Sequence, residues 1–531
     1  MNSIKNSRLL PIGIQSFAVI RENNMVYADK TDIIYNLTKT LSYVFLSRPR
    51  RFGKSLLVST LESYFEGRKE LFTGLKIEQL ETQWEKHPVL SISFAGGDYH
   101  NNPEKLCSYI DQRLARWEEK YGIRVEDRWK DSLNGRLERV IAEAHRQSGH
   151  LVVFLVDEYD HPVLLNDMEQ EQDKIRDILK GFFGAIKNCA KDIHFAFFTG
   201  VTKMPKVSIF SDLNNLKDIS MDEKFSTICG ITDAEMVEYL SPEIEAMAAQ
   251  NRLTTDECIQ KLRNKYDGYH FASDLTGVYN PFSLINALTD HKFKNYWFES
   301  GSSSYLIRRF AQKPLAVPTI TSNNIYATEE ALMTYDPLNT KTIPLLYQSG
   351  YLTLKEGPDD LGTYKLGFPN EEVSVGFMEG LLPLYTNQMD EDSENGLGYR
   401  SIIIKLRQGD LEGVMQTLTS VFASIPYSSS ALNALQSEAV FQNAFCILFT
   451  LLGYDVRSEV RFATGRADAI VQTKDTVYIF EFKRDGSAQS AIEQIKSQGY
   501  DTPFLASGKR IRRVGVNFSS QTNTIKEWAE A

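Results

Sequence analysis

The stretch LVVFLVDEYD, residues 151–160, constrains the fold more than any other part of the chain. Its apolar run is unbroken, as expected of a central strand buried on both faces, and it ends in two carboxylates, Asp157 and Glu158. Three further runs also read as strands: Tyr43–Leu46, PVLSISF at 88–94 and HFAFFTG at 194–200. Amphipathic stretches separate them, and in KSLLVSTLESYF the residues Leu57, Thr60, Leu61 and Tyr64 fall at helical spacing. This alternation predicts an α/β fold, a parallel sheet with helices on both faces.

A chain of 531 residues is too long for one ordinary core, so further modules are expected. From about residue 226 the pattern turns mainly helical, and 329–369 mixes a helix with GYLTL and TYKLGF, which fits a helical lid and a winged-helix-like module. TNQMDEDSENGLG, 386–398, is acidic and nearly without apolar residues, the best linker in the chain. After it come a long helix, three strand-like runs, another helix and a last strand, RRVGVNF at 512–518. The expected division is 1–225, 226–385, the linker 386–398, and 399–531.

With 42% hydrophobic and 24% charged residues, the composition is that of a soluble globular protein, and no apolar run approaches a membrane span. The N-terminus has no secretory apolar region followed by a small-residue cleavage site. Cysteines at 107, 189, 229, 258 and 446 form no CxxC pair, so neither a disulfide frame nor a zinc site is expected, and a reducing cytoplasm is. The net charge of −10 argues against nucleic-acid binding over the whole surface. It does not argue against local basic tracks such as RPRRFGK (48–54) and GKRIRR (508–513).

In RPRRFGKSLL, Gly53, Lys54 and Ser55 lie where an apolar run meets a helix. Backbone N–H groups and the helix N-terminus there receive phosphate oxygens, Lys54 neutralises the outer phosphates, and the Ser55 hydroxyl can ligate Mg²⁺. Arg48 stands where the usual P-loop pattern has its first glycine, and the triplet alone also fits an arginine-rich turn capping a helix. The strand ending in Asp157 and Glu158 favours a nucleotide: one carboxylate holds Mg²⁺ and the other polarises the attacking water. The expected ATP and Mg²⁺ site comprises Arg48, Pro49, Arg50, Arg51, Phe52, Gly53, Lys54, Ser55, Asp157 and Thr199, with Glu158 catalytic. Thr199, ending the next strand, is placed to sense the γ-phosphate or is simply a β-former at a strand end.

These segments, with LPIGIQSFAVIRENNMVYADKTDII, FTGVTKMPKVSIFSDLNNL, KYDGYHF and VYNPFSLINAL, resemble the predicted AAA-ATPase-like proteins common in gut bacteria. The resemblance covers about residues 5–385. In that family an arginine replaces the first P-loop glycine, so Arg48 conforms to it; the resemblance implies ATP binding and leaves the rate of turnover open.

A second constellation lies in RADAIVQTKDTVYIFEFKRDG, 466–486. At the strand period of two, Val477, Ile479, Glu481 and Lys483 share one face, and Tyr478, Phe480 and Phe482 the other. Asp468 lies with Ile470 on the preceding run, so two anions and a cation converge at the mouth of an otherwise apolar hairpin. Burying them unpaired would be costly, which calls for a partner or a function. Upstream, Phe441, Phe445, Leu448 and Leu452 fall at helical spacing, so that helix can pack on the sheet and direct Glu438 towards the strands. Asp and Glu oxygens are the hard ligands Mg²⁺ prefers, and a nearby lysine can orient the attacking water and stabilise charge on phosphate. By contrast Glu118-x-Lys120, in a polar helix-like segment, reads as a solvated face.

The order helix, strand, strand with Asp, strand with Glu-x-Lys, helix, strand resembles the PD-(D/E)XK nuclease core over about residues 400–531. The resemblance implies a restriction-endonuclease-like α/β domain with catalytic Glu438, Asp468, Glu481 and Lys483, of which Asp468 and Glu481 hold Mg²⁺. Gln494, on the following helix, is placed to contact the scissile phosphate or the catalytic groups. Tyr500 follows Gln494 by six positions and so departs from the Gln-x-x-x-Tyr pattern of some related nucleases. Arg510, Arg512 and Arg513 either contact a nucleic-acid backbone or form a solvated strand edge.

The combined expectation is a cytoplasmic ATPase whose P-loop module controls a Mg²⁺-dependent nuclease acting on nucleic acid, DNA ahead of RNA, with no membrane. The rival is a nucleotide-switched binding protein of the STAND kind with a non-cleaving nuclease-like fold. A homo-oligomer is an open expectation, because AAA-type modules often complete their site with a neighbour's arginine.

Overall fold

The apolar run at 152–157 lies inside a five-stranded sheet in which every residue from Val152 to Asp157 is buried. A computed structural model describes residues 9–100, 102–124, 132–166, 169–204, 209–210, 213, 215–298, 325–334, 342–385, 405, 408–423, 445, 447, 455–462, 465–473, 475–519, 521 and 524–531. The chain divides into two compact units, Met1–Lys294 with Ala327–Tyr364, and Asn295–Tyr326 with Lys365–Ala531.

In the first unit the strands are β1 (Tyr43–Ser47), β2 (Val89–Ser93), β3 (Val152–Asp157), β4 (Ile193–Gly200) and the short β5 (Lys217–Asp218). Their order is β2-β3-β4-β1-β5, and each neighbouring pair is parallel. Helix α1 (Lys54–Phe65) follows β1, and α2 (Pro103–Lys120), α3 (Leu133–Ser148) and α4 (Glu169–Asn188) cover the other face. Alternation along β4 assigns the faces: Phe195 meets Phe65 of α1 at 5.2 Å between ring centroids, while Phe198 meets Phe183 of α4 at 5.3 Å. The expected α/β fold with helices on both faces is therefore present. Helices α5 (Asp233–Gln250), α6 (Thr255–Tyr266) and α7 (Pro281–Asp290) make up the mainly helical part, and residues 327–364 add two short helices and the strand Thr353–Glu356.

The structure overturns the reading of Glu118 as solvated. Its carboxylate is buried and accepts two hydrogen bonds from Arg136 of α3, at 2.8 and 2.7 Å. Glu118 lies one turn beyond buried Leu114 on the packed side of α2, where a bidentate arginine offsets the desolvation. Lys120, two residues on, lies on the exposed side.

In the second unit a mixed sheet runs β6 (Asp455–Phe462), β7 (Gly465–Gln472), β8 (Thr476–Arg484), β9 (Arg510–Phe518) and β10 (Ile525–Glu530), in that order. Only β8 and β9 pair in parallel, and their crossover carries α8 (Ala488–Gln498). Gly515 on β9 permits that helix to close down, because a Cβ there would lie 2.1 Å from the Ala488 carbonyl oxygen. Strand β10 was not legible: IKEWAE is half-exposed and charged, as befits an edge strand, and shows no clean apolar alternation. Phe445 is helical and packs on Phe480 and Phe482, at 4.7 and 5.0 Å, so this one residue of the expected helix meets the sheet. Glu438, Phe441, Leu448, Leu452 and the linker 386–398 lie outside the described residues. Among the described residues no helix is long and apolar enough to cross a membrane.

Candidate functional site

The loop from β1 to α1 turns at Gly53, whose φ of 89° is left-handed and open to glycine without strain. Lys54 opens α1, is 5% exposed, and donates from Nζ to the carbonyls of Arg48 and Pro49, each at 3.0 Å. Burial pulls the Lys54 ammonium below its usual range, opposed by the carboxylates of Glu158, Asp157 and Asp160. Burial pushes the Asp157 carboxyl upward, opposed by the Ser55 hydroxyl and the Lys54 charge. Asp157 Oδ1 is buried with no partner among the described residues.

Strand order sets the geometry. Strand β4 lies between β1 and β3, so Thr199 stands between the phosphate loop and the acidic strand end. Its hydroxyl donates to the Leu46 carbonyl at 2.8 Å and it is fully buried, so its one donor ties β4 to β1. Glu158 takes a left-handed φ of 51°, a conformation of the sort retained at functional sites. Burial raises its pKa, and Oε2 lies 3.7 Å from His161 Nδ1. Asp160 accepts from the Val201 and Thr202 amides at 3.0 and 2.6 Å, which pins the backbone after β4.

Two side chains of the loop are engaged by the protein itself. Arg48 is 1% exposed; it donates to the carbonyls of Ser47, Ser220 and Phe225 and lies 4.1 Å from the centroid of the Phe271 ring. Phe52 packs edge-on against Tyr269 and Phe271 at 4.7 and 5.3 Å. These two aromatics come from KYDGYHF, which thereby serves as a seat for the loop. Beside Gly53 a small cavity of about 100 Å³ is lined mainly by apolar groups, among them Leu10, Val26, Leu56, Ile228 and Tyr239, with Lys30 at its wall. Lys30 is itself buried and paired with Glu235 of α5 at 2.5 Å. The sequence reading missed this cavity because its walls come from four separate segments, 10–34, 52–60, 228–240 and 281–285.

In the second unit, β7 and β8 pair with Ala469 opposite Phe480, and that register places Asp468 across from Glu481. Asp468 Oδ2 accepts the Phe482 amide at 2.8 Å. Lys483 Nζ reaches Glu481 Oε1 at 3.2 Å and Gln494 Oε1 of α8 at 2.5 Å, so four of the expected residues are brought together. Glu481 is 2% exposed; burial, with the neighbouring Asp468 charge, pushes its carboxyl up to about 7. Its Oε2 is buried without a partner among the described residues.

Residues that the sequence reading missed position this cluster. Asn517, fully buried on β9, bonds both the N–H and the C=O of Gly486, at 3.0 and 2.8 Å. Glu527 of β10 accepts the Ala488 amide at 3.0 Å, fixing the start of the helix that presents Gln494. Tyr500 is core, packed with Ile479 and Ile495. Arg512 is engaged by Glu530 and Arg513 by Asp501, the latter at 2.9 Å from Nε. Both guanidiniums therefore serve ion pairs, one with the edge strand β10 and one with the segment after α8.

Both orphan carboxylate oxygens suit a hard divalent cation. No three His, Cys, Asp or Glu side chains converge as a metal cage among the described residues. Mg²⁺ takes one or two carboxylates and fills the rest of its shell with water and substrate oxygens.

Fold and residues thus define a chain with a P-loop-type turn on a parallel sheet and an Asp, Glu-x-Lys cluster on a mixed one. Residues 11–210 match the family described as predicted AAA-ATPase, and residues 436–528 the PD-(D/E)XK nuclease superfamily. A protein of Azotobacter chroococcum mcd 1, designated "uncharacterized protein in vnfD 5′ region", is 35% identical over 524 residues, covering 97% of each chain. The chain belongs to this family of predicted AAA-ATPases bearing a C-terminal PD-(D/E)XK nuclease superfamily domain. A signal transduction ATPase with numerous domains and a tetratricopeptide repeat sensor, from Pyrococcus horikoshii, aligns over 80% of this chain and 67% of its own. Its identity is 9% and its TM-score 0.23, too low to define a shared fold.

Proposed function

We propose that the protein is an ATP-binding nuclease, in which a module of residues 1–225 with its lid, 226–385, controls phosphodiester cleavage by residues 399–531. The observation that carries this reading is the joining of Asp468, Glu481, Lys483 and Gln494 at one end of β8, with a buried Glu481 oxygen unpartnered among the described residues. Asp468 and Glu481 would hold Mg²⁺, which when bound supplies positive charge to the phosphate and acidifies a coordinated water. Lys483, positioned by Gln494, orients the attacking water and stabilises charge on the phosphate oxygens. Water attacks phosphorus in line and the 3′-oxygen leaves. In the N-terminal module Lys54 and the loop amides bind the outer phosphates, Asp157 and Ser55 would hold Mg²⁺, and Glu158 polarises water.

The test is incubation of the purified full chain with a panel of DNA and RNA, with and without ATP and Mg²⁺. Cleavage that requires Mg²⁺ and responds to ATP supports the reading. Stoichiometric ATP occupancy with no cleavage of any substrate would replace it with the nucleotide-switched binding protein.

A further inference from the structure

Glu158 sits at a left-handed φ of 51°, and a non-glycine residue keeps such a backbone only where its surroundings over-determine it. The next two side chains in the sequence supply that constraint. Tyr159 is fully buried; its amide donates to the Thr199 carbonyl at 3.1 Å and its hydroxyl to the Thr202 carbonyl at 2.9 Å. Asp160 is buried too, and its Oδ2 accepts the amides of Val201 and Thr202 and also the Thr202 hydroxyl, the last at 2.7 Å. The segment they grip is itself fixed, because all four amides of 201–204 are taken. Two go to Asp160, that of Met204 to the Tyr159 hydroxyl at 3.1 Å, and that of Lys203 to Gln348 Oε1 at 2.8 Å. Gln348 in turn donates to the Leu332 carbonyl at 2.7 Å. Gly200, at the root of the segment, leaves room for the grip: a Cβ there would lie 2.4 Å from Asp160 Oδ1.

We infer that Asp160, with Tyr159, is a positioning residue for ATP hydrolysis: it ties the end of the acidic strand to the segment after β4 and holds Glu158 in the backbone conformation from which its carboxylate polarises water. This rests on the ATPase reading above. In the reaction a water oxygen bonds to the γ-phosphorus while the bond from phosphorus to the β,γ-bridging oxygen breaks. ADP leaves with that electron pair, and the water proton leaves through the Glu158 carboxylate to solvent. The water must be met in line with the breaking bond, and a misplacement of about 1 Å costs on the order of 100-fold. Released on its C-terminal side, Glu158 would relax towards the ordinary right-handed or extended regions and carry its side chain with it. Phosphate binding does not use this constraint, since Lys54 and the loop amides come from the turn after β1. The loss should therefore fall on rate and not on affinity.

The experiment measures ATP affinity by calorimetry and hydrolysis by single-turnover assay on the full chain, with thermal melts alongside. Asp160→Ala should slow hydrolysis by about 100-fold and leave ATP affinity within about threefold. Asp160→Asn keeps the shape and an acceptor oxygen for the two amides, so it should recover most of the rate. Thr202→Val removes only the hydroxyl's bond and should slow hydrolysis by about 3- to 10-fold. In the Asp160→Ala background it should add nothing, as expected of two residues acting through one contact. It also carries the test if Asp160→Ala melts below the assay temperature. Hydrolysis by Asp160→Ala within a few-fold of wild type overturns the assignment, as do equal losses of affinity and rate, which would make Asp160 a general pin of the fold. An Asp160→Asn chain no faster than the alanine variant overturns it, and so does a Thr202→Val chain that hydrolyses at the wild-type rate. ATP bound but hydrolysed by no form overturns it while leaving the phosphate loop in place. A wild type that binds no ATP removes the phosphate-loop reading itself, and this assignment with it.

Discussion

At both sites a lysine stands beside a strand-end carboxylate that keeps one buried oxygen unpartnered among the described residues, yet the two lysines are held by different means. Lys54 rests on backbone carbonyls of its own loop, and Lys483 on the side chains of Glu481 and Gln494. A site built on main chain tolerates unusual side chains so long as the turn survives. That is how Arg48 occupies a glycine's place while its guanidinium serves as a strut. A site built on side chains has no such latitude, since each member orients the next. The phosphate loop should therefore be sensitive to few substitutions, and the acidic hairpin to nearly all, including isosteric ones.

The largest effect that could break this contrast is at the hairpin. Asp468→Asn or Glu481→Gln should lower Mg²⁺-dependent cleavage by about 10³-fold or more, read on gels with a labelled substrate, with ATP affinity unchanged. A fully active Asp468→Asn protein would reduce the cluster to a structural ion pair. Next comes Lys54→Ala, which should weaken ATP binding by about 100-fold through loss of a charge-assisted contact. Calorimetry is the check, and Lys483→Ala is the control that should bind ATP normally.

A smaller effect sharpens the contrast through pH. The Glu481 carboxyl titrates at about 7 in the folded chain against 4.5 for its ordinary value, so the folded state binds the proton more tightly. Without metal, the contribution of Glu481 to stability should be greatest below pH 4.5 and be lost as pH rises to about 7, by about 3 kcal/mol. Denaturant titrations in chelator at several pH values test this; Glu481→Gln should abolish the slope, and a slope unchanged in that variant would assign it elsewhere. The smallest effect concerns Thr199. Thr199→Val removes the bond to Leu46 and should cost about 1 kcal/mol in stability. ATP affinity should stay within about twofold; a tenfold loss would return Thr199 to the phosphate site.

Legibility in the sequence followed how local each feature is. The α/β alternation, the Gly-Lys-Ser turn and the Glu-x-Lys strand end were readable because strand and helix periods act over a few residues. Glu118 was misread because spacing shows which residues share a helix face, but not that Arg136 comes to meet it. Thr199 stood at the right strand end, yet the choice of acceptor for its hydroxyl depended on β4 lying beside β1.

From its sequence alone the chain determined its two kinds of sheet, the identity of its strand-end acids and lysines, and the family resemblance those residues carry. The tertiary structure alone decided which of them meet. Strand order inserted β4 between the phosphate loop and Asp157, and the parallel crossover through α8 brought Gln494 to Lys483. It likewise spent Arg48 and Arg51 on carbonyls and rings while leaving Arg50 without a described partner. The physical reason is that local periodicity sets the direction of a side chain. Its partner is set by packing between segments far apart in sequence, where burial makes every unpaired polar group costly.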